Sequence, residues 1–349
     1  MADPVVITGV GLATAAGMDP SQVLWRVRRG ESLAKPPTSF DATPFACPVC
    51  AQIADFDGAA CVPEAKALRM MSRDAQLAVA AAQGAVIHAG LRVGSDYPGD
   101  QVGLFGATGL AGVPLEEVSR LVGGSAGADG RLDLVKFGGM ALKQVRPVLS
   151  FKILSNMPLC FVSIFQGIQG PNAVFSPWEG QGAAAIVEGA RAIARGETRC
   201  VLAGGCDVKT HELGFIALHQ QGVFERWRTR GAGPIPAEGA AFLVLESADS
   251  ARDRGARVLA RVADWRMGTG QVEPFSAPSR IAADDTPDGL RTHAGQVWWP
   301  KPVTGNLFAA AAALQVGIGA LVAAESGGAV AVDCFGHGSQ QASFLLEGP

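Results

Sequence analysis

A chain of 349 residues, 48% hydrophobic and 17% charged, is long enough for one large domain or two fused halves and has ample material for a core. A formal net charge of −3 leaves no electrostatic footprint for nucleic acid, and one Tyr among few aromatics offers little for bases to stack on. The 7 Cys fit a reducing compartment better than a disulfide framework, so a cytoplasmic location is expected.

The N-terminus meets Asp3 and Pro4 before any apolar run and has no basic segment, which argues against a secretory leader. Residues 4–10 then form a β-branched run closed by Gly9 and Gly11, and a helix over 21–29 with Ser21 as N-cap follows. Gly9-Val10-Gly11 starts like a dinucleotide fingerprint, but Thr14 stands where the third glycine belongs, so a nucleotide site is not expected. Residues 31–66 read as an irregular excursion. Within it Cys47-Pro48-Val49-Cys50 and Cys61 lack a second CxxC or paired His, so no metal is expected. Ser72 to Ala89 is an Ala-rich buried helix, on which His88 reads as a structural histidine.

Val102 to Ala107 is a second buried strand, and residues 111–150 a cap-like insertion with a flexible centre. A helix over 154–167 leads to a short strand at Ala173 to Ser176, a break at Pro177, and a turn through Trp178-Glu179-Gly180 into a helix over 181–196. Such an elbow presents one side chain to unpaired backbone N–H groups at the positive end of a helix, the natural place for chemistry. Here that side chain is Glu179.

Further strands follow at 200–206, 236–246, 258–264, 329–333 and 342–346, with a Pro-rich bridge between the third and Lys301. Ala309 to Ala324, interrupted by Gln315, is too short to span a membrane and reads as a buried helix. His211 and His219 could share a helical face, where an interface or core role is the simpler reading. The rhythm of buried strand, Gly turn and small-residue helix occurs twice. Residues 1–246 form an N-terminal half and 247–349 a shortened C-terminal half of one layered α/β/α/β/α unit.

Several motifs in order, Val6-Ile7-Thr8-Gly9-Val10-Gly11, Ser72-Arg73, Asn156-Met157-Pro158, Gly170-Pro171-Asn172, Leu202-Ala203-Gly204-Gly205 and Glu238-Gly239-Ala240, resemble the β-ketoacyl synthases of the thiolase-like fold. The resemblance implies a nucleophilic cysteine seven residues beyond Asn172, at Glu179, and a histidine at Ala309. It also implies a histidine motif between residues 264 and 301, a region that looks shortened by tens of residues. Without a thiolate no thioester can form, and a carboxylate would give a readily hydrolysed anhydride.

A synthase-like chain without these groups is similar to the chain length factor of a heterodimeric ketosynthase. That resemblance implies a cysteine-bearing ketosynthase partner, an acyl carrier protein, no cofactor, and a role in shaping the tunnel for a polyketide, polyene or fatty-acyl chain. Those proteins often carry Gln at the Glu179 position. The pocket residues implied are Trp178, Glu179, Gly180, Phe308, Phe335 and His337, with Trp178 filling the old channel and Glu179 held at the helix N-terminus. A residual malonyl decarboxylase or acyl transferase using Glu179, and a homodimeric acyl-binding protein, remain as alternatives.

Overall fold

The computed structural model describes residues 4–62, 64–110, 115–141, 143, 148–283 and 295–349. Strand β1 (Val5–Ala13) is buried over its whole length, as its unbroken apolar and small-residue sequence requires. Helix α1 (Pro20–Arg29) follows. Its N-cap is Asp19, whose carboxylate accepts from the Gln22 N–H, and not Ser21: Pro20 occupies the first helical position, which moves the cap one residue earlier. Helix α2 (Arg73–His88) and strand β2 (Val102–Thr108) come next, then α3 (Met157–Gln166), the short strand β3 (Asn172–Phe175), helix α4 (Glu179–Ala194) and strand β4 (Cys200–Val208). Helices α5 (Glu212–Gln220) and α6 (Glu225–Arg230) precede strands β5 (Glu238–Ser247) and β6 (Ala260–Thr269). Two three-residue strands, β7 (Ser279–Ile281) and β8 (Gln296–Trp298), lie in the stretch read from sequence as a bridge, too short to show a period of two. Helix α7 (Ala311–Ser326) and strands β9 (Ala329–Cys334) and β10 (Gln340–Glu347) complete the chain.

The strands form one sheet in the order β3-β2-β4-β5-β1-β6-β10-β9-β7-β8. Outward from the centre, β1-β5-β4-β2-β3 on one side is matched by β6-β10-β9-β7-β8 on the other. The pairing sense is matched too: the inner contacts are antiparallel, and β2 and β7 each run parallel to both neighbours. Within the sheet, the two halves join where Val6 and Ile7 of β1 pair with Arg261 and Ala260 of β6. The repeated rhythm of the sequence is therefore a repeated topology.

Helices α4 and α7, each 16 residues, lie together against one face of this sheet, and their small side chains merge with β1, β5, β9 and β10 into the largest core cluster. A Cβ on Gly182 would fall 2.4 Å from the Ala309 carbonyl oxygen, so a residue without one is needed for the two segments to approach this closely. Helices α2 and α3 cover β2, β4 and β5 from the opposite face. There Gly11 serves packing rather than phosphate binding: its Cβ would lie 2.0 Å from the Ala81 carbonyl oxygen of α2. His88 accepts the Val10 N–H at 3.1 Å, tying the same helix to β1.

On the C-terminal half, the corresponding outer face is covered, among the described residues, by the extended segment 271–278. Phe275 and Ala277 cover Ala331 there, with Leu345 packed alongside. The outward side chains of β6 are polar and exposed, and the Arg266 guanidinium sits 4.2 Å from the Phe275 ring centroid. Residues 284–294, His293 among them, lie outside the described residues, as do 111–114, 142 and 144–147 of the expected cap. What is described of that cap includes a helix over Leu115–Gly123 and a π-helical turn over Phe137–Ala141. One helix among the described residues, Phe308–Ser326, is long and apolar enough to cross a membrane, but 89% of it is buried inside the protein as a core helix.

Candidate functional site

The elbow forms where the chain leaves β3 and enters α4. Trp178 is extended (φ −109°, ψ 178°) and its carbonyl accepts the first helical N–H groups, from Gln181 and Gly182, which puts Glu179 in the first turn. The helix begins two residues earlier than the sequence pattern suggested, because Glu179 and Gly180 already take helical geometry. Glu179 is completely buried. Its Oε1 accepts from Asn306 Nδ2 at 2.8 Å and from Lys301 Nζ at 3.3 Å, while Oε2 is buried without a hydrogen-bond partner. Lys301, 4% exposed, also donates to the Phe335 carbonyl at 3.0 Å. The carboxylate thus sits at a positive helix end with a cation and an amide donor fixed on it, an arrangement that holds a charge in place.

Space around it is fully used. A Cβ on Gly336 would lie 2.2 Å from Glu179 Oε1, and one on Gly180 would lie 2.1 Å from the Gln340 carbonyl oxygen. Asn306 reads both neighbours: while its Nδ2 holds Glu179, its Oδ1 accepts the Phe308 N–H at 2.9 Å. Phe308 adopts φ +44°, a left-handed conformation that costs a bulky residue on the order of 1–3 kcal/mol and fixes the direction of its ring. That ring packs edge-on against Trp178, with centroids 5.9 Å apart, and Trp178 in turn meets His337 at 4.6 Å. The expected grouping of Trp178, Glu179, Gly180, Phe308, Phe335 and His337 is therefore one cluster. Its histidine touches the indole, and among the described residues no histidine hydrogen-bonds to Glu179.

Ala309 is the exception. The resemblance put it in the position of an active-site histidine, facing the nucleophile, yet it lies in a tight turn over Phe308–Ala310 with its N–H directed at Asp207 Oδ2, 3.5 Å away. The side chain from this segment that reaches Glu179 is Asn306, because the φ +44° at Phe308 turns the chain away beyond it. Sequence reasoning also passed over Lys301. A signal was present: it is the single charged residue between positions 295 and 324, and a lone charge in such an apolar stretch needs a buried partner.

A second buried ion pair, Lys209 with Asp207, borders the cluster, and the Lys209 ammonium lies 5.9 Å from the Phe308 ring centroid. Burial pushes the Asp207 carboxyl up, with Lys209 opposing, and burial likewise raises Asp74 and lifts the Cys206 thiol well above its ordinary value. His211, held down by burial and by Lys209, is the N-cap of α5: its Nδ1 accepts the Gly214 N–H and its Nε2 donates to the Val208 carbonyl, each at 3.2 Å. His219 lies at the other end of α5, exposed and edge-on to Phe45, so the two histidines do not act together. Between Trp178, Lys209, Leu110 and Leu213 remains a cavity of about 160 Å³. No thiol occupies the elbow. Cys160 is half-buried on α3, Cys200 and Cys206 lie inside β4, and burial raises Cys47 to about 11 and Cys50 to about 12. Among the described residues, no group of three His, Cys, Asp or Glu side chains could hold a metal ion.

Two mirrored five-stranded halves around a pair of central helices, with an elbow at the head of one of them, define a thiolase-like body. The chain belongs to the β-ketoacyl synthase family: residues 2–251 match its N-terminal domain. Over 360 aligned residues it is 28% identical to the tetracenomycin polyketide synthase ketoacyl synthase beta subunit of Streptomyces glaucescens, covering 90% of this chain and 84% of that one. It is 27% identical over 274 residues to 3-oxoacyl-[acyl-carrier-protein] synthase 2 of Coxiella burnetii, of which it spans 62%. Among solved structures, the ishigamide ketosynthase/chain length factor aligns over all of both chains with a TM-score of 0.77 at 20% identity. A β-ketoacyl synthase from Burkholderia phymatum aligns over 99% of each chain with a TM-score of 0.79 at 18% identity. These structural likenesses speak for the fold.

Proposed function

We propose that this protein is a non-elongating ketosynthase-family subunit of the chain length factor type. On this reading it pairs in the cytoplasm with a cysteine-bearing ketosynthase and helps shape the space in which an acyl-carrier-protein-bound polyketide, polyene or fatty-acyl chain grows. The observation that carries the reading is Glu179. At the position the resemblance assigns to the nucleophile stands a buried carboxylate whose Oε1 is taken by Lys301 and Asn306, next to Trp178, which packs edge-on against Phe308. A group so held cannot carry a thioester, and no imidazole among the described residues is placed to activate it. The cavity of about 160 Å³ beside Trp178 is smaller than the roughly 300 Å³ at which small-molecule sites begin, which speaks against a long acyl group lodged at this elbow.

The need for a partner is supported by the sheet edge. Strand β3 ends the sheet, and a groove of about 340 Å³ runs beside it between Ile164 of α3, 68% exposed, and Val174 of β3, 42% exposed. Phe151, Ile153 and Leu154, just before α3, are exposed as well. A strand whose outer edge is unpaired, flanked by large apolar side chains, is what a two-fold partner would cover. The residues before and after the division at 246/247 are two halves of this one subunit.

Co-expression with a cysteine-bearing ketosynthase and an acyl carrier protein tests the reading. A stoichiometric complex with the ketosynthase is expected, with product formed only by the complex. Carbon dioxide release from malonyl-carrier protein by the lone chain would favour a decarboxylase, and a stable homodimer with bound lipid would favour an acyl-binding protein; either would overturn it.

A further inference from the structure

Away from the elbow, a cavity of about 800 Å³ opens between α1, the turn Thr14–Met18 that precedes it, and the two arms of the 31–56 excursion. The arms are pinned: Lys35 and Cys50 exchange backbone hydrogen bonds of 2.9 and 2.8 Å, and the Leu33 N–H reaches the Val303 carbonyl at 3.1 Å. The wall toward Glu179 is the segment 235–237, which accepts the Asn306 N–H on one side and the Ala51 N–H on the other, so the two spaces are separate. The volume falls in the range of ligand sites.

Three cations line this cavity, Arg26, Lys35 and Arg73, against two carboxylates, Asp55 and Glu238. Glu238 is already satisfied: Arg73 and the Ile53 N–H bind Oε1 at 3.0 and 2.9 Å, and Thr210 binds Oε2 at 3.1 Å. Asp55 is exposed. Arg26 and Lys35 have no carboxylate within ion-pair distance among the described residues, and Arg26 Nε is buried without any hydrogen-bond partner. A guanidinium that lines the cavity without an ion-pair partner has donors to offer an anion there. The apolar part of the lining includes Leu33, Met18 and Phe56.

We propose that this cavity binds a small amphiphilic anion, its carboxylate or phosphate head paired with Arg26 and Lys35 and its short apolar tail laid along Leu33, Met18 and Phe56. The site is independent of the reading of Glu179. It is tested by calorimetric titration of the purified chain, or of its complex, with octanoate, octyl phosphate and the neutral control octanol. At least one anion binds, and octanol binds at least tenfold more weakly. Tighter octyl phosphate assigns a phosphate head, and tighter octanoate a carboxylate. Arg26→Gln weakens the anion at least tenfold, and the exposed Lys35→Gln, which has no folding role, weakens it severalfold, while Trp178→Ala has no effect. Equal affinity for octanol, unchanged affinity in both charge variants, loss in Trp178→Ala, or no binding of either anion would overturn the proposal.

Discussion

Glu179 and Lys301 share a space from which water is excluded, their side chains 1% and 3% exposed. Two charges in such a place stand or fall together: the pair adds little net stability over an apolar substitute, but either member alone is strongly destabilising. Lys301→Met should therefore lower the unfolding free energy by about 3–5 kcal/mol. The double variant Glu179→Gln with Lys301→Met should recover most of the loss in a urea-denaturation cycle. Additive losses would show that the two groups do not interact. At the same scale, His211 ties stability to pH. Its folded-state pKa lies below the ordinary 6.5, so the neutral form is the one the fold keeps. Its contribution is therefore fully present above pH 6.5 and is lost as pH falls below that value through the folded pKa. His211→Asn keeps an acceptor for the Gly214 N–H without titrating. The wild type should lose stability relative to this variant between pH 7.5 and 5.5, and parallel profiles would exclude the linkage.

At the scale of elements, the long periodic segments were legible and the short ones were not. Helix α2 and strands β1, β2, β4 and β5 declare themselves through continuous apolar or Ala-rich runs, whereas β7 and β8, three residues each, borrow their conformation from pairing, β7 with β9 and β8 with β7. The elbow and most of its pocket could be read from the break at Pro177. The direction of Asn306 could not, since it depends on the left-handed backbone of Phe308, a tertiary effect with no local signature. Exposed apolar residues are equally silent in sequence, and they carry the next prediction. Ile164→Asp on α3, placing a charge in the groove beside β3, should abolish association with a ketosynthase partner in size-exclusion chromatography while leaving the circular dichroism spectrum intact. An undisturbed complex would move the interface elsewhere.

For the whole molecule, the two matched halves form a frame held by its own close contacts. The approach of α4 to the segment that opens α7 needs a glycine whether or not a nucleophile stands at the elbow, because a Cβ on Gly182 would meet the Ala309 carbonyl oxygen. In the C-terminal half the segment 271–278 covers part of β9 and β10, and β6 turns a polar face to solvent. On the proposed reading, a body with a complete core and a carboxylate held at its elbow contributes surface and shape. The most direct test is intact-protein mass spectrometry of this chain and a cysteine-bearing ketosynthase, together and apart, after incubation with an acyl-loaded carrier protein. The account predicts an acyl adduct on the partner alone, with this chain at its unmodified mass in both samples; an adduct on this chain would contradict it.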